Sequence, residues 1–307
     1  MRARKMTNKI FEGGSMPGVG PIHIDEINPT LDTLEKHLGI DLKNNVLGSV
    51  GKKEFSGDID VAIQVDADKI PELVKKIEAC PLIMDIAKSS VIMTKVKIVG
   101  YDESKQTSKP RTGFVQVDFM PGDPDWMKTY YHSPSDKESK YKGVFRNLMI
   151  ATIAAIRDSR ASGETIDDGR PAEVERWIWS PTEGLLRIKR VPAPRKDGKG
   201  YTKKSIDTKI SKPLRDPDGI AKALGLDGAK DLNSFESLLA AVEKNLPADE
   251  VEKIKTSFAK NGTVKDVGVP SELVQTEGLA DKQLNRIKAL SGNLLNSSVM
   301  ISGAFNK

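Results

Sequence analysis

The chain has 307 residues, 38% of them hydrophobic, a formal net charge of +5 and a pI near 9.0. This length allows two domains with a sizeable core, and the composition excludes a chain that is disordered throughout. The single cysteine, Cys80, excludes an intrachain disulfide and is typical of a reducing compartment, so we expect a cytoplasmic protein. No apolar run approaches the ~20 residues of a membrane span, and no apolar segment follows the basic start, so we expect neither a membrane anchor nor a secretory signal.

Residues 1–27 are rich in glycine and proline and predict an irregular N-terminal arm. The next pattern predicts a helix from Pro29 to Leu38, with Asn28 as its cap and Gly39 at its end. We expect this helix to pack beneath the strands that follow.

A Gly-Ser turn between two apolar runs is the most informative feature of the sequence. The segment from Leu47 to Val61 reads LGSVGKKEFSGDIDV, and we expect strands at 44–47 and 59–65. Gly48 lets the backbone approach a phosphate closely, and the Ser49 hydroxyl can bond a terminal phosphate oxygen. The turn is therefore a candidate phosphate-binding element.

Two aspartates follow this turn. Because successive strand residues point to opposite faces, Asp58 and Asp60 share one face. Adjacent carboxylates repel each other, and a hard cation that prefers oxygen ligands, typically Mg²⁺ carrying substrate phosphates, is the usual reason to keep them. Asp66 and Asp68 form a second acidic pair, but they precede Pro71 and a helical pattern, so we interpret Asp68 as a helix N-cap.

A third acid lies in a later strand. Residues 90–100 and 113–120 predict the two strands of a long hairpin. Asp118 alternates there with apolar residues, where an unpaired charge is costly, and a metal site would explain it. Asp123 and Asp125 are rivals, but they lie in a Pro/Gly loop where acids commonly form turns.

This ordered pattern of Gly48-Ser49, Asp58-Ile59-Asp60 and Asp118 resembles the DNA polymerase β-like nucleotidyltransferase superfamily, over residues 28–160. The superfamily includes terminal nucleotide-adding enzymes, poly(A) polymerases, antibiotic-modifying adenylyltransferases and second-messenger synthases. The resemblance implies an α+β fold with a mixed β-sheet and flanking helices. It also implies that the Gly-Ser turn holds a nucleoside triphosphate and that the three carboxylates bind two Mg²⁺ ions, with Mn²⁺ as a substitute.

The mechanism that follows is a two-metal-ion transfer. Asp58 and Asp60 would hold the triphosphate-bound ion, and Asp118 would share the second ion, which lowers the pKa of an acceptor hydroxyl for in-line attack on the α-phosphate.

Three basic residues are further candidates for nucleotide phosphates. Lys142 and Arg146 lie at the start of a helix predicted at 139–157, and similar enzymes have basic residues after the third carboxylate. The alternative for both is a solvated helix face. Lys52, next to the Gly-Ser turn, can neutralise phosphate charge, and its alternative is a solvated loop.

The sequence changes character after a hairpin predicted at 174–190. From Arg187 to Arg215 it is dense in lysine and arginine and poor in large apolar groups, which predicts a basic linker or loop at 191–213. A solvated connector and contact with nucleic-acid phosphates are equally favoured. The weak candidates for that contact are Lys196, Lys199, Lys203 and Lys204.

Helical patterns occupy the rest of the chain. We expect helices at 216–224, from Asn233, from Pro247 to Asn261 and at 279–290. The expected organisation is an arm (1–27), a catalytic domain (28–160), a hairpin extension (161–190), a basic linker or loop (191–213) and a mainly helical accessory domain (214–307).

Other chemistries are excluded by missing patterns. The histidines are isolated and there is one cysteine, so the spacing of zinc ligands is missing. The sequence also contains no GxSxG nucleophile elbow and no Walker A loop. We therefore expect a Mg²⁺-dependent nucleotidyltransferase that moves an NMP from an NTP to a hydroxyl, the 3′ end of an RNA being favoured. The alternatives are adenylylation of a protein or small molecule, second-messenger synthesis, or an inactive nucleotide- or nucleic-acid-binding protein. The oligomeric state is left open.

Overall fold

A computed structural model of the protein describes residues 16–89, 91–135 and 137–261, together with Pro270 and Leu273. The chain divides into two units, residues 1–254 and 255–307. Most of the predicted N-terminal arm and the helix predicted at 279–290 lie outside the described residues. None of the described helices is long and apolar enough to cross a membrane.

The described residues form ten strands and seven α-helices. The strands in chain order are β1 (Ile22–His23), β2 (Phe55–Ser56), β3 (Ile59–Ile63), β4 (Ile83–Lys88), β5 (Ile92–Lys97), β6 (Phe114–Pro121), β7 (Arg160–Ala161), β8 (Val174–Ser180), β9 (Gly184–Pro194) and β10 (Tyr201–Lys209). The helices are α1 (Ile24–Leu38), α2 (Ile70–Glu78), α3 (Pro124–Tyr130), α4 (Gly143–Ile156), α5 (Pro217–Ala223), α6 (Phe235–Asn245) and α7 (Ala248–Asn261). This mixture confirms an α+β fold for the described part of the chain.

A four-stranded mixed sheet with the order β3-β6-β5-β4 organises the N-terminal half. β3 and β6 run parallel, while β5 pairs antiparallel with both β6 and β4. The predicted hairpin of β5 and β6 is confirmed. The sequence did not predict β4, because its buried and exposed residues show no clear alternation. It is an edge strand, and residues such as Met84, which is 58% exposed, face solvent.

The two faces of this sheet differ in chemistry. On one face the apolar residues of β3 and β6 join α1 and α2 in a single hydrophobic core. The other face carries Ala62 and Met120 beside Leu47, Met127 of α3 and Tyr131. Because side chains alternate along a strand, Asp60 and Asp118 lie on this second face.

Two predicted elements near the Gly-Ser turn are corrected. α1 begins at Ile24 and not at Pro29, because His23 and Glu26 form a capping box there and the helix tolerates Pro29 in its interior. The strand expected at 44–47 is a 3-10 turn followed by a single bridge between Val46 and Val61.

The N-cap prediction for Asp68 is wrong. Residues 67–69 form a 3-10 turn, so that Lys69 occupies the N-cap position of α2. Asp66 accepts a hydrogen bond from Lys69 Nζ at 2.9 Å.

A second four-stranded sheet, with the order β10-β9-β8-β7, follows α4. The hairpin predicted at 174–190 is confirmed, with Trp179 opposite Leu185. The linker or loop predicted at 191–213 is wrong for most of its length, because β9 continues to Pro194 and β10 pairs with it. Arg190 and Asp207 are register partners and form an ion pair with N–O distances of 2.6 and 2.5 Å, so long-range pairing decided the structure of a polar segment.

The helices that follow agree with the predicted caps, with small shifts. Asp216 caps α5 through the Gly219 amide at 2.5 Å. Ser234 and Ser237 form the capping box of α6, one residue later than expected. α4 starts at Gly143 and not near 139. The predicted domain boundaries at 160, 190 and 213 stay predictions.

Candidate active site

The parallel strands at one edge of the first sheet bring two carboxylates side by side. Asp60 of β3 is the register partner of Asp118 of β6. Neighbouring strands lie about 4.8 Å apart, and register partners point to the same face. Ile59 and Val117, which precede the two acids, are fully buried in the core on the opposite face. The sheet therefore fixes the two carboxylates as close neighbours on the more polar face.

The electrostatics of these acids are strongly perturbed. Burial raises the pKa of Asp60 to about 7, and the negative charges of Asp58 and Asp118 add to the effect. Burial also raises the pKa of Asp118 to about 6, and Asp58 adds to this, while a hydrogen bond from Gln116 opposes it. Both shifts disfavour the ionised form, so the site favours either a proton or a cation.

Gln116 is a site residue that the sequence reasoning missed. Its buried side chain donates from Nε2 to both carboxylate oxygens of Asp118, at 2.9 and 3.1 Å. The backbone amide of Met16 donates to Gln116 Oε1 at 3.0 Å. These bonds fix the amide and, through it, the orientation of the Asp118 carboxylate. The available signal was the two-residue spacing in one strand, which places Gln116 and Asp118 on the same face.

The carboxylate oxygens at this site suit a hard divalent cation. Asp58, Asp60 and Asp118 supply carboxylate oxygens, the ligands that Mg²⁺ prefers. No described cation lowers the pKa of Asp60. Within the described ranges, however, no group of three or more His, Cys, Asp or Glu side chains is already arranged to hold a metal ion. The carboxylates would thus have to draw closer around an ion.

The Gly-Ser turn begins beside the carboxylate strand. The Leu47 amide donates to the Asp60 carbonyl at 2.9 Å, and the Lys52 amide closes the turn on the Ser49 carbonyl at 3.1 Å. Gly48 has φ +66°, a conformation that side chains rarely adopt, and no atom lies within 4 Å of the place a Cβ would occupy. Ser49 is exposed. The turn therefore presents an open stretch of backbone and an exposed hydroxyl, and it begins at the hydrogen bond between Leu47 and Asp60.

The segment after α3 closes the other side of the site. The Lys52 ammonium donates to the Ser133 carbonyl, and burial lowers the pKa of Lys52. Burial raises the pKa of Tyr131 to about 12, and the charge of Asp60 adds to this. Tyr131 packs against the cluster of Leu47, Ala62 and Met127 on the sheet face that carries Asp60. His132 has a lowered pKa, chiefly through burial and also through Arg146 and Lys52, and its buried Nε2 has no hydrogen-bond partner in the described part of the chain. A neutral imidazole thus adjoins Lys52, which sequence reasoning did not anticipate.

Aromatic packing connects this segment to the second sheet. Tyr131 meets Tyr130 edge to face, and Tyr130 stacks on Trp179 with ring centroids 5.1 Å apart. Trp126 packs edge-on against Trp179 and donates from Nε1 to the Ser180 carbonyl at 3.0 Å. The end of the second sheet at the β8–β9 turn therefore lies next to the candidate site.

The basic candidates on α4 are placed differently from each other. Arg146 is buried, and its guanidinium donates to the carbonyls of Leu232 and Tyr130, while burial lowers its pKa to about 10. Lys142 is exposed at the N-cap position of the helix. The contacts of Arg146 are structural, and no described contact supports the prediction that it binds phosphate.

The rival acids after β6 have structural positions. Asp123 caps α3 by accepting from the amides of Asp125 and Trp126, and it pairs with Arg215. The side chain of Asp125 is 98% exposed. Neither acid shares the strand register that joins Asp60 to Asp118.

No family model and no curated protein matches the chain. Among the solved structures, the ternary gap complex of Leishmania infantum polymerase beta matches with a TM-score of 0.31 and 14% identity, covering 54% of this chain and 51% of that one. The ternary P/T complex of the same polymerase matches with a TM-score of 0.33 and 12% identity, covering 67% and 73%. The chain thus spans about half the length of the polymerase in the gap complex, and the chemistry of this protein has to be inferred from its own site.

Proposed function

We propose that the protein is a nucleotidyltransferase that depends on a divalent metal and moves a nucleoside monophosphate from a nucleoside triphosphate to a hydroxyl group. The observation that carries this proposal is the register of Asp60 and Asp118 on neighbouring parallel strands, with the charge of Asp58 acting on both. A soluble protein gains nothing in stability from three mutually repelling acids, whereas a cation-dependent reaction requires them.

Asp58, Asp60 and Asp118 are the residues that would hold the ions, Mg²⁺ or in its place Mn²⁺. When bound, these ions neutralise triphosphate charge and lower the pKa of the acceptor hydroxyl. Gln116 keeps the Asp118 carboxylate in one orientation through its paired hydrogen bonds.

The loop residues have separate tasks in binding the triphosphate. The open backbone at Gly48 and the exposed hydroxyl of Ser49 bind phosphate oxygens, because the turn that carries them starts at the Leu47–Asp60 hydrogen bond. The Lys52 ammonium, which contacts the Ser133 carbonyl, turns to the phosphates when they are present. Tyr131, which packs on the sheet face that carries Asp60, limits the access of water to that face.

The acceptor is a nucleic-acid 3′ hydroxyl, with RNA as the first acceptor to test, because the second sheet concentrates lysine and arginine, which bind backbone phosphates. Small molecules, protein side chains or a second nucleotide are the alternative acceptors within the same chemistry. An inactive binding protein is the alternative outside it, and retention of all three acids argues against it.

The test is an incubation of the full chain with each labelled nucleoside triphosphate and Mg²⁺, with RNA, with DNA and without nucleic acid. We expect label in a nucleic-acid product, and we expect Asp60→Asn and Asp118→Asn each to reduce the rate by about 10³-fold or more, since several kcal/mol of charge stabilisation is lost. Asp66→Asn is the matched control, because this acid is 72% exposed and pairs only with Lys69 among the described residues. Transfer that survives in both site variants would contradict the proposal.

A further inference from the structure

At one end, the second sheet narrows to the two strands β9 and β10. β8 begins at Val174, whose partner is Arg190, so residues 191–194 pair with β10 alone. Residues 191–206 therefore form a two-stranded projection, which we call the distal ribbon. Arg170 braces it by donating to the Thr202 carbonyl at 2.7 Å.

Charge pairing differs between the base of this hairpin and the distal ribbon. Five cations near the base have carboxylate partners: Arg187 with Glu175, Lys189 with Glu173, Arg190 with Asp207, Lys209 with Glu183 and Arg215 with Asp123. Lys212, also near the base, is exposed and forms no ion pair with a described residue. The cations of the distal ribbon are exposed and form no ion pair with a described residue: Arg195, Lys196, Lys199, Lys203 and Lys204.

The acids near the distal ribbon do not neutralise it. Asp197, in its loop, accepts a hydrogen bond from the Lys199 backbone amide. Asp168 pairs with Arg170, and Asp167 lies near Gly200. The distal ribbon thus carries an excess of positive charge, which requires an anionic partner or solvent.

The distance between the distal ribbon and the candidate site sets the length that a partner needs in order to contact both. The site lies next to the β8–β9 turn, which ends at Gly184, while the ribbon loop begins after Pro194. Ten residues of strand span roughly 33 Å. Successive phosphates of a strand that keeps duplex-like stacking are about 3.4 Å apart along its axis, so a stacked strand that contacts both places extends over roughly ten nucleotides.

We infer that the distal ribbon grips the phosphate backbone of the nucleic-acid acceptor, independently of sequence, roughly ten nucleotides from the hydroxyl that reacts. This inference rests on the proposed function, which supplies the reacting hydroxyl at the end of the acceptor. A nucleic-acid acceptor accounts for the positive charge of the distal ribbon, so a small-molecule acceptor is not needed to explain it. The exposed ring of Tyr201, 44% accessible, adds one surface on which a base can stack. The competing explanation is that these cations only protect a strand edge from aggregation.

The experiment compares two variants of the full chain with the same change in net charge. The ribbon variant replaces Arg195, Lys196, Lys199, Lys203 and Lys204 by Gln. The control variant replaces five exposed lysines that pair with carboxylates elsewhere, Lys69, Lys76, Lys88, Lys244 and Lys253, also by Gln. Surface pairs of this kind contribute little to stability, so both variants should fold, which circular dichroism checks.

Binding is measured by fluorescence anisotropy with 5′-labelled RNA and DNA oligonucleotides of 4, 8, 12, 16 and 20 nucleotides, without nucleoside triphosphate. For the wild type and the control variant, we expect affinity to rise steeply above about ten nucleotides. For the ribbon variant, we expect the 20-mer to bind no better than the 8-mer. Its slope of log K against log salt should fall by up to about 0.7 for each lost phosphate contact.

Two results would overturn the inference. One is an equal loss of affinity in both variants, which would assign the effect to net charge. The other is unchanged binding with self-association of the ribbon variant in size-exclusion chromatography, which would show that the cations protect the edge. Because binding is measured without turnover, a protein that binds through the ribbon but transfers no nucleotide would contradict the proposed function and leave the ribbon inference standing.

Discussion

Replacement of Asp60 by asparagine separates a metal site from a structural carboxylate. The substitution keeps the shape of the side chain and removes its charge. In the folded protein the pKa of Asp60 is about 7, against an ordinary value of 3.8 for an aspartate in water. Each pKa unit corresponds to about 1.4 kcal/mol, so the ionised carboxylate costs up to about 4 kcal/mol of stability above pH 7 in the absence of metal.

The sign of the pH dependence follows from the direction of the shift. Because the pKa is raised in the folded state, the folded protein binds this proton more tightly than the unfolded chain does. The cost is therefore fully present at pH 8, shrinks as the pH falls through 7, and disappears below about pH 4. Asp118, with a pKa raised to about 6, acts in the same direction over a lower range. Without metal, we expect Asp60→Asn to be more stable than the wild type at pH 8 and equal to it near pH 4.

A metal ion narrows this difference. A ligand that binds only the folded state stabilises it by about 2.7 kcal/mol at a hundredfold excess over its dissociation constant. We expect the wild type to gain this much from Mg²⁺ with a non-hydrolysable nucleoside triphosphate, and Asp60→Asn to gain little.

The assay is urea unfolding at pH 4, 6, 7 and 8, in EDTA and in Mg²⁺ with the nucleotide analogue, for the wild type, Asp60→Asn and Asp66→Asn. The control Asp66→Asn should follow the wild type, because its side chain is 72% exposed. An Asp60→Asn protein that is less stable than the wild type in EDTA at pH 8, and that still gains the full stabilisation from metal and nucleotide, would refute the reasoning and make Asp60 a structural acid.

Other substitutions test the neighbouring groups. Gln116→Met keeps the volume of the side chain but removes both hydrogen bonds to Asp118. In a metal titration, the Mg²⁺ concentration for half-maximal activity should rise, and in urea the free energy of unfolding should fall by about 1–3 kcal/mol. An unchanged metal titration would limit Gln116 to packing. Gly48→Ala places a side chain on a residue in the left-handed conformation, so it should lower the free energy of unfolding by about 1–2 kcal/mol. It should also raise KM for the nucleotide more than it lowers kcat. Kinetics equal to those of the wild type would remove the turn from the site. Asp123→Ala should retain activity while losing about 1 kcal/mol with the α3 cap, whereas an inactive but folded variant would move the third acid there.

Local sequence patterns determined several parts of the protein without reference to the fold. The alternation of Asp118 with Val117 and Phe119 correctly separated a polar from an apolar strand face, since that alternation follows from strand geometry alone. The hairpin around residues 180–184 and the caps at Asp216 and Gly39 also depend on short-range chemistry. Such features can be read because the interacting groups are close in sequence.

The features that needed tertiary structure depend on partners far apart in sequence. The parallel register that sets Asp60 beside Asp118 joins strands 58 residues apart, and no local pattern specifies it. Gln116 acquires its role from Asp118 and from Met16, 100 residues away. Arg146 looked like an exposed helix cation, but packing against Leu232 buries it.

The basic segment after Arg187 shows the same division. Its composition predicts a polar connector, yet pairing with β9 makes most of it a strand, because backbone hydrogen bonds and the Arg190–Asp207 pair are available only once the chain folds back. The sequence by itself thus determined which residue types could bind a cation and phosphates. The tertiary structure decided which of them lie together, since strand register and burial are set by contacts that local periodicity does not contain.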